Sequence, residues 1–418
     1  MSPAPFPLKR DGSRTFVEWR KWIGGAMTGA ISLQESKWVA PFAAIALASL
    51  SLLRPPPHFP PPARYRIIKD AGGVEVPIEI PFRGTVLTWC GFGAGGYLGH
   101  THSPQTLVSA GTQNDRERFA EGIWSWIYPE SLQQDSLWQS QFRRRFPELE
   151  TVLAFDAGAY IGGCGATGVI ASMRAVGLPA LSLNVGKGKN WDEELFAMAR
   201  VETALVGEPE RGEALIAAYK RAYADLDAEL QTKTLTEHPR ILIMNSRTDD
   251  WRRLYVKNAR NDYRIYLPPA GVANAAGPVP QNPDAERILV MDPDMIFLMG
   301  NGQSPREFAA DPRWHGLKAV IDNRLYRMPG DPFRGGGGLA GLHFQPLWVR
   351  WMAEIAHPDR LQPRLREVLR ERFVSEFGYR LSDEQIDRFL QIDENIGAVG
   401  YARFAKDYQA SNAVGPSR

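Results

Sequence analysis

The chain has 418 residues, 23% of them charged and 44% hydrophobic, with a net charge of +2. That length exceeds what one simple core needs and suits two lobes behind a leader. The near-neutral balance excludes a general attraction to nucleic acid, and no Lys/Arg run interleaves with aromatics as a nucleic-acid groove requires. Two cysteines, Cys90 and Cys164, exclude a four-cysteine zinc site and argue against a disulfide framework, while a single bridge between them stays open.

The N-terminus is basic (Lys9, Arg10, Arg14, Arg20, Lys21, Lys37) and leads into the apolar run WVAPFAAIALASLSLL at residues 38–53, then into the proline-rich PPPHFPPPA. A basic stretch before an apolar one reads as an export signal. The run falls short of the roughly 20 residues of a comfortable membrane span, and no small-residue cleavage site follows it. It therefore reads either as a leader or as a retained membrane anchor with a stiff proline spacer. No cysteine ends the run, so a lipid-anchored N-terminal Cys is not supported. No fold is assigned to residues 1–36.

Folding sequence starts near Tyr65. YRIIKDAGGVEVPIEI predicts two short strands around Gly72–Gly73. TVLTWC at residues 85–90 reads as a buried strand opening into a glycine-rich loop, GFGAGGYLGH. TVLAFDAGAYIGG contains a second buried strand, VIASMRAVG a short helix and LPALSLN a further strand. Two helical stretches follow, divided by Gly207 and Pro209. In the second, Leu215, Tyr219, Ala222 and Leu226 recur at helical spacing, predicting a helix from about Glu210 to Leu230 that is long enough to cross between lobes. RILIMN, DYRIYL, MIFLMG, AVI and RLYRMP then read as strands alternating with helices, a second α/β lobe. From Leu347 the chain reads as helical, with Ser382, Glu384 and Gln385 resembling a capped helix start.

PELETVLAFDAGAYI (147–161) aligns with PDAERILVMDPDMIF (283–297), pairing Pro147 with Pro283, Glu150 with Glu286, Leu153 with Leu289 and Asp156 with Asp292. The shared helix-then-strand context reads as an internal duplication.

Several motifs bear on chemistry. Gly91, Gly93 and Gly96 form G-x-G-x-x-G after a strand, the dinucleotide fingerprint, but Gly99 and Pro104 argue against the helix that should follow. A loop at the mouth of a cleft, carrying Trp89 and Phe92, is the preferred reading, and a dinucleotide enzyme using Gly91–Gly96 the alternative. His100 and His102 read as a solvated loop pair, since no third metal ligand is identifiable. HExxH, GxSxG and Walker motifs are absent, and nothing proposes a nucleophile or a cofactor. In residues 245–267, Arg247, Arg252, Arg253, Arg260 and Arg264 interleave with Trp251, Tyr255, Tyr263 and Tyr266. Arginine forks and aromatic faces suit an anionic, partly aromatic chelate, although a solvated face fits the same pattern. DPFRGGGGLAGLHF (331–344) places Phe333 and Arg334 just beyond a strand, where open α/β sheets make ligand contacts.

The phrase SPREFAADPRWHGLKAVIDNRLYRMPG resembles the second lobe of the periplasmic binding proteins of ABC importers for iron-siderophores, haem and cobalamin, through Asp311, Pro312, Arg313, Trp314, Leu317, Ala319, Val320, Asn323, Arg324 and Tyr326. Asn323 and Arg324 are adjacent here, a departure from the family's phrasing, and the resemblance is weaker over residues 88–146. It covers most of residues 65–390 and implies two Rossmann-like lobes joined by one long helix, with the ligand between them. The lobes then span 61–206 and 234–418, joined by 207–233, behind a leader at 1–60. It implies a binding protein rather than an enzyme, exported to the periplasm or cell surface. Its partners would be a permease–ATPase complex and a metal chelate, bound through Trp89, Phe92, Arg252, Arg260, Tyr263, Phe333 and Arg334. It also implies one permease-docking glutamate per lobe, for which Glu150 and Glu286 are the candidates. A surface receptor with the same clamp fold is the remaining alternative.

Overall fold

A computed structural model describes residues 65–88, 93–110, 113–138, 154–162, 167–184, 191–246, 254–256, 266–277, 283–299, 303–330, 341–406 and 408. The apolar run at 38–53, both cysteines and the first repeat's Glu150 lie outside them. Among the described residues, no helix is long and apolar enough to cross a membrane.

The opening hairpin forms as expected. Strand β1 (Tyr65–Lys69) pairs antiparallel with β2 (Glu75–Glu79), Tyr65 facing Glu79. Gly73 supplies the turn's positive φ of 86°. The buried Asp70 carboxylate accepts from Val74 N at 2.8 Å and from Ser182 N at 3.1 Å, so the turn is tied to the sheet beyond it.

That sheet consists of β3 (Thr85–Thr88), β4 (Leu107–Ser109), β5 (Ala159–Gly162) and β6 (Ala180–Ser182), all parallel in the order β4-β3-β5-β6. A second sheet contains β7 (Arg240–Ser246), β8 (Leu254–Val256), β10 (Met295–Met299) and β11 (Leu325–Arg327), in the order β11-β10-β7-β8. Short β9 (Ala273–Asn274) also pairs with β7, and among the described strands of this sheet β8 is the antiparallel member. Every residue of β10 is buried, as expected for a parallel strand covered on both faces.

Helices cover the sheets. In the first lobe they are α1 (Gly93–Thr101), α2 (Gln113–Glu121), α3 (Trp124–Ile127), α4 (Thr167–Ala175) and α5 (Trp191–Val206). The connecting helix α6 runs from Pro209 to Leu230, close to the bounds read from its periodicity, and its 22 residues span about 33 Å. Gly207, at φ 90°, makes the break before it. The second lobe has α7 (Ala285–Met291), α8 (Pro305–Ala310) and α9 (Lys318–Ile321), and the tail adds α10 (Gln345–Ala356), α11 (Leu365–Phe377) and α12 (Asp383–Leu390). Ser382 caps α12 in a full capping box with Gln385.

Three expectations are corrected. The segment AVI is helical, lying in α9, whose Lys318 N donates to Asp292 Oδ1 at 2.9 Å. Tyr266 and Leu267 form a turn, the rest of DYRIYL lies outside the described residues, and the strand partner of β7 is Leu254–Val256. Most consequentially, the glycine-rich segment is not a loop: residues 93–101 form α1 despite three internal glycines. Each glycine within a helix costs about 1 kcal/mol relative to alanine, but packing reverses the balance here. A Cβ on Gly95 would lie 2.2 Å from the Trp124 ring. One on Gly99 would lie 2.5 Å from Trp124 and 2.9 Å from His343 Nε2. The glycines let an indole and an imidazole lie directly on the helix.

The internal echo has a structural counterpart. Asp156 and Asp292 both adopt positive φ, 44° and 35°, each three residues before a buried strand. Ala159 faces Thr85, the first residue of β3, and Met295 faces Ile241, the second of β7. In each lobe an arginine at or just before the start of the neighbouring strand donates to the carbonyl of that aspartate: Arg83 to Asp156 O at 3.5 Å and Arg240 to Asp292 O at 3.3 Å.

Gly95→Ala is expected to lower stability by about 1–3 kcal/mol, the usual cost of overpacking, read as a drop in the denaturation midpoint by circular dichroism. An unchanged midpoint would show that Trp124 can give way.

Candidate functional site

In open α/β sheets ligands sit beyond the carboxyl ends of the strands. Among the described parallel strands those ends are Thr88, Ser109, Gly162, Ser182, Ser246, Asn274, Met299 and Arg327. The sequence candidates follow them closely: Trp89 and Phe92 after β3, Arg252 after β7, and Phe333 and Arg334 after β11. These five, with Arg260, Tyr263 and Glu150, lie outside the described residues, so the structure brings none of them together. What it does describe is how the segment carrying Phe333 and Arg334 is anchored.

Both feet of that segment are held. On the entry side, Trp348 Nε1 donates to Pro329 O at 3.0 Å and Gly330 N to Phe389 O at 2.6 Å. On the exit side, Arg372 Nη2 donates to Leu342 O at 2.9 Å, and His343 Nδ1 to Glu376 Oε2 at 2.6 Å. Buried Arg327, at the end of β11, pairs with Glu394 at 3.2 Å and donates to Gln303 O at 2.6 Å, fixing the start of α8 against the same strand end.

The lobes and α6 meet in a polar network that the sequence reading missed. Tyr219, counted there as core, donates its hydroxyl to Asp192 Oδ1 at 2.6 Å. Gln345 Nε2 donates to Tyr219 Oη at 2.6 Å and to Tyr223 Oη at 3.0 Å. The network thus joins the first turns of α5 and α10 to the middle of α6. Burial pushes the Tyr219 and Tyr223 hydroxyls far above their ordinary range, so both stay protonated donors. The signal available in the sequence was Tyr219–Tyr223 at one-turn spacing with a glutamine opening a later helix; nothing there connects them.

The histidine expectation is also corrected. His100 is 1% exposed, and its Nδ1 donates to Glu202 Oε2 of α5 at 2.6 Å. His102, half-buried at φ 52°, accepts from Arg211 at the start of α6. Burial and then Arg211 lower its pKa to about 4. Arg211 Nε also donates to His100 O at 2.7 Å. These side chains turn inward because α1 continues through its glycines and carries them beneath the tail helices.

Glu286 is the one docking candidate that is described. It is exposed in the first turn of α7, whose N-cap Asp284 accepts from Arg287 N at 2.9 Å. The chain reverses at Asp292, and Ile288 and Met291 pack in one cluster with Ile296 and Leu298 of β10. The N-terminus of α7, and Glu286 with it, therefore lies toward the carboxyl end of β10.

Residues 162–332, from the end of β5 through α6 and the second sheet, match the family model described as periplasmic binding protein. This stretch is similar to the periplasmic binding protein family. No curated protein matches the sequence. The binding-protein fold extends over most of the chain. A periplasmic solute binding protein from Veillonella parvula superposes with a TM-score of 0.67 at 20% identity, covering 79% of this chain and 98% of its own. The molybdate periplasmic binding protein MolA of Haemophilus influenzae gives 0.62 at 15% identity, covering 76% and 99%. An ABC transporter solute binding protein from Sulfurospirillum deleyianum gives 0.60 at 17% identity, covering 78% and 99%. At these identities the likeness shows the two-lobed fold. Within that fold Gly95 and Gly99 admit packing side chains, a different use of helical glycine from the close approach of a pyrophosphate in the dinucleotide fingerprint.

Tyr219→Phe removes the hydroxyl between half-buried Asp192 and buried Gln345 and leaves each of them short of a partner. It is expected to cost about 1–3 kcal/mol in denaturant unfolding, and a loss under about 0.5 kcal/mol would show that water replaces the hydroxyl.

Proposed function

We propose that this protein is the substrate-binding component of an ABC importer, exported to the periplasm or cell surface, which clamps a metal chelate between its lobes and delivers it to a permease–ATPase complex. The observation that carries the reading is the family match over residues 162–332. The basic-then-apolar N-terminus supports export, as a cleaved leader or a retained anchor. The ligand class rests on Trp89, Phe92, Arg252, Arg260, Tyr263, Phe333 and Arg334: arginine forks for catecholate, carboxylate or propionate oxygens, and aromatic faces for a flat ligand. A siderophore, a haem or a corrinoid fits that chemistry. The anchored feet around residues 331–340 support a contact role for Arg334, since a fixed root limits the entropy lost on binding.

Quenching of tryptophan fluorescence tests the ligand. The protein is titrated with a ferric catecholate siderophore, haemin, cyanocobalamin and molybdate. One of the first three is expected to bind saturably, and Arg260→Ala with Arg334→Ala to weaken it by about 1–3 kcal/mol per charged hydrogen bond. Unchanged affinity in the double variant would remove these residues from the site.

Glu150 and Glu286 are proposed to dock the lobes onto basic patches of the permease, where charge fixes orientation and speeds encounter. Exposed pairs contribute only about 0–1 kcal/mol each, so the double variant is informative. Glu150→Ala with Glu286→Ala is expected to keep ligand affinity and lose uptake into vesicles carrying the permease. Normal uptake would make both ordinary surface acids.

A further inference from the structure

His100 and His343 share an arrangement that neither the fold nor ligand capture requires. Each is 2% exposed or less, and each gives its Nδ1 to a buried carboxylate at 2.6 Å: Glu202 for His100, Glu376 for His343. That contact sets the tautomer, with the proton on Nδ1 and the lone pair on Nε2. Among the described residues, neither Nε2 has a hydrogen-bond partner. Two buried, unpartnered acceptors side by side call for a bound species.

Geometry narrows what that species is. The ring centres are 5.2 Å apart. Two imidazoles on one tetrahedral ion, with metal–nitrogen bonds of about 2.0–2.1 Å, bring their ring centres to about 5 Å. The space beside His343 Nε2 is kept clear by Gly99, whose absent Cβ would lie 2.9 Å from that nitrogen. Trp124 and Phe377 pack around the pair, edge to face with each other. Glu376 is paired with Arg372 at 2.7 Å, whereas among the described residues the ion-pair partner of buried Glu202 is His100. A carboxylate behind each imidazole is the usual outer shell of a histidine metal site, where it orients the ring and raises its basicity.

We propose that His100 Nε2 and His343 Nε2 together bind a first-row divalent transition-metal ion of the Zn2+ type, at the junction of the two lobes. Imidazole donors select such ions over Mg2+ and Ca2+. No group of three or more His, Cys, Asp or Glu among the described residues is arranged to hold a metal, so the ion takes two protein nitrogens and completes its shell with water. His100 lies in α1 and His343 just before α10, so the ion would tie α1 to the start of the tail.

The test uses the full chain without a histidine tag, stripped with chelator and titrated with Co2+ and then Zn2+. Co2+ is expected to give a visible d–d band that saturates at one equivalent and is displaced by Zn2+. His100→Gln and His343→Gln should each abolish the band, and Glu202→Gln should weaken binding about 10–100-fold, the usual effect of losing an outer-shell carboxylate. Because a histidine variant may fail to fold, X-ray absorption at the Zn edge of the wild-type protein is the second measurement, with imidazole scattering expected. The site is separate from the chelate cleft: Arg260→Ala with Arg334→Ala should leave the band unchanged. Absence of a saturable band, a band that survives His343→Gln, or Zn2+ without imidazole scattering would each overturn the proposal and leave the two nitrogens to a buried water.

Discussion

The long helix α6 lies in the chain between the first sheet and the second, and it is pinned along its length. At its start Arg211 donates to His100 O and to His102 of the first lobe. In the middle Tyr219 and Tyr223 hold Asp192 on one side and Gln345 on the other. Near its end Glu229 accepts both terminal nitrogens of buried Arg350, at 3.1 and 2.6 Å. A helix of this length held at one point would swing freely; held at three, it transmits the position of one lobe to the other.

The tail helices complete this frame at an electrostatic cost met by dense pairing. Arg350 also donates to Glu354, which is fully buried and accepts from the backbone N–H groups of Arg364 and Leu365. Burial pushes the Glu354 carboxyl up to about 7, against the pull of Arg350 and those amides. Fully buried Arg366 is met by Asp383 and Asp387, and Asp383 is held down to about 2, chiefly by Lys406 and then by Arg366 and Arg370. Removing one partner from such a cluster leaves an uncompensated charge, worth about 3–5 kcal/mol. These contacts specify where α11 and α12 dock, and so where His343 and the anchored segment before it are placed.

Much was legible in the sequence wherever burial follows a simple period. Continuous apolar runs marked β3, β7 and β10, the spacing of Leu215, Tyr219 and Leu226 marked α6, and Ser382 with Gln385 marked the start of α12. The alignment of Asp156 with Asp292 was legible too, and the structure explains it: both make the left-handed step by which the chain turns into a buried strand. In each case a local pattern and the tertiary environment ask for the same residue.

The errors fall where they do not. Local propensity reads GFGAGGYLGH as a loop, because glycine is a poor helix former; residues 93–101 form a helix because Trp124 and His343, distant in sequence, occupy the space the missing side chains leave. His100 looks solvated beside glycines but is buried, where Glu202, over a hundred residues away, accepts a hydrogen bond from its Nδ1. The sequence by itself determined the family phrase, the strand cores, the connecting helix and the likeness of the two halves, since these depend on neighbours within a turn or a strand. Only the tertiary structure decided which polar groups meet in the interior. A buried hydrogen bond is set by where elements pack in three dimensions, and no period along the chain encodes that distance.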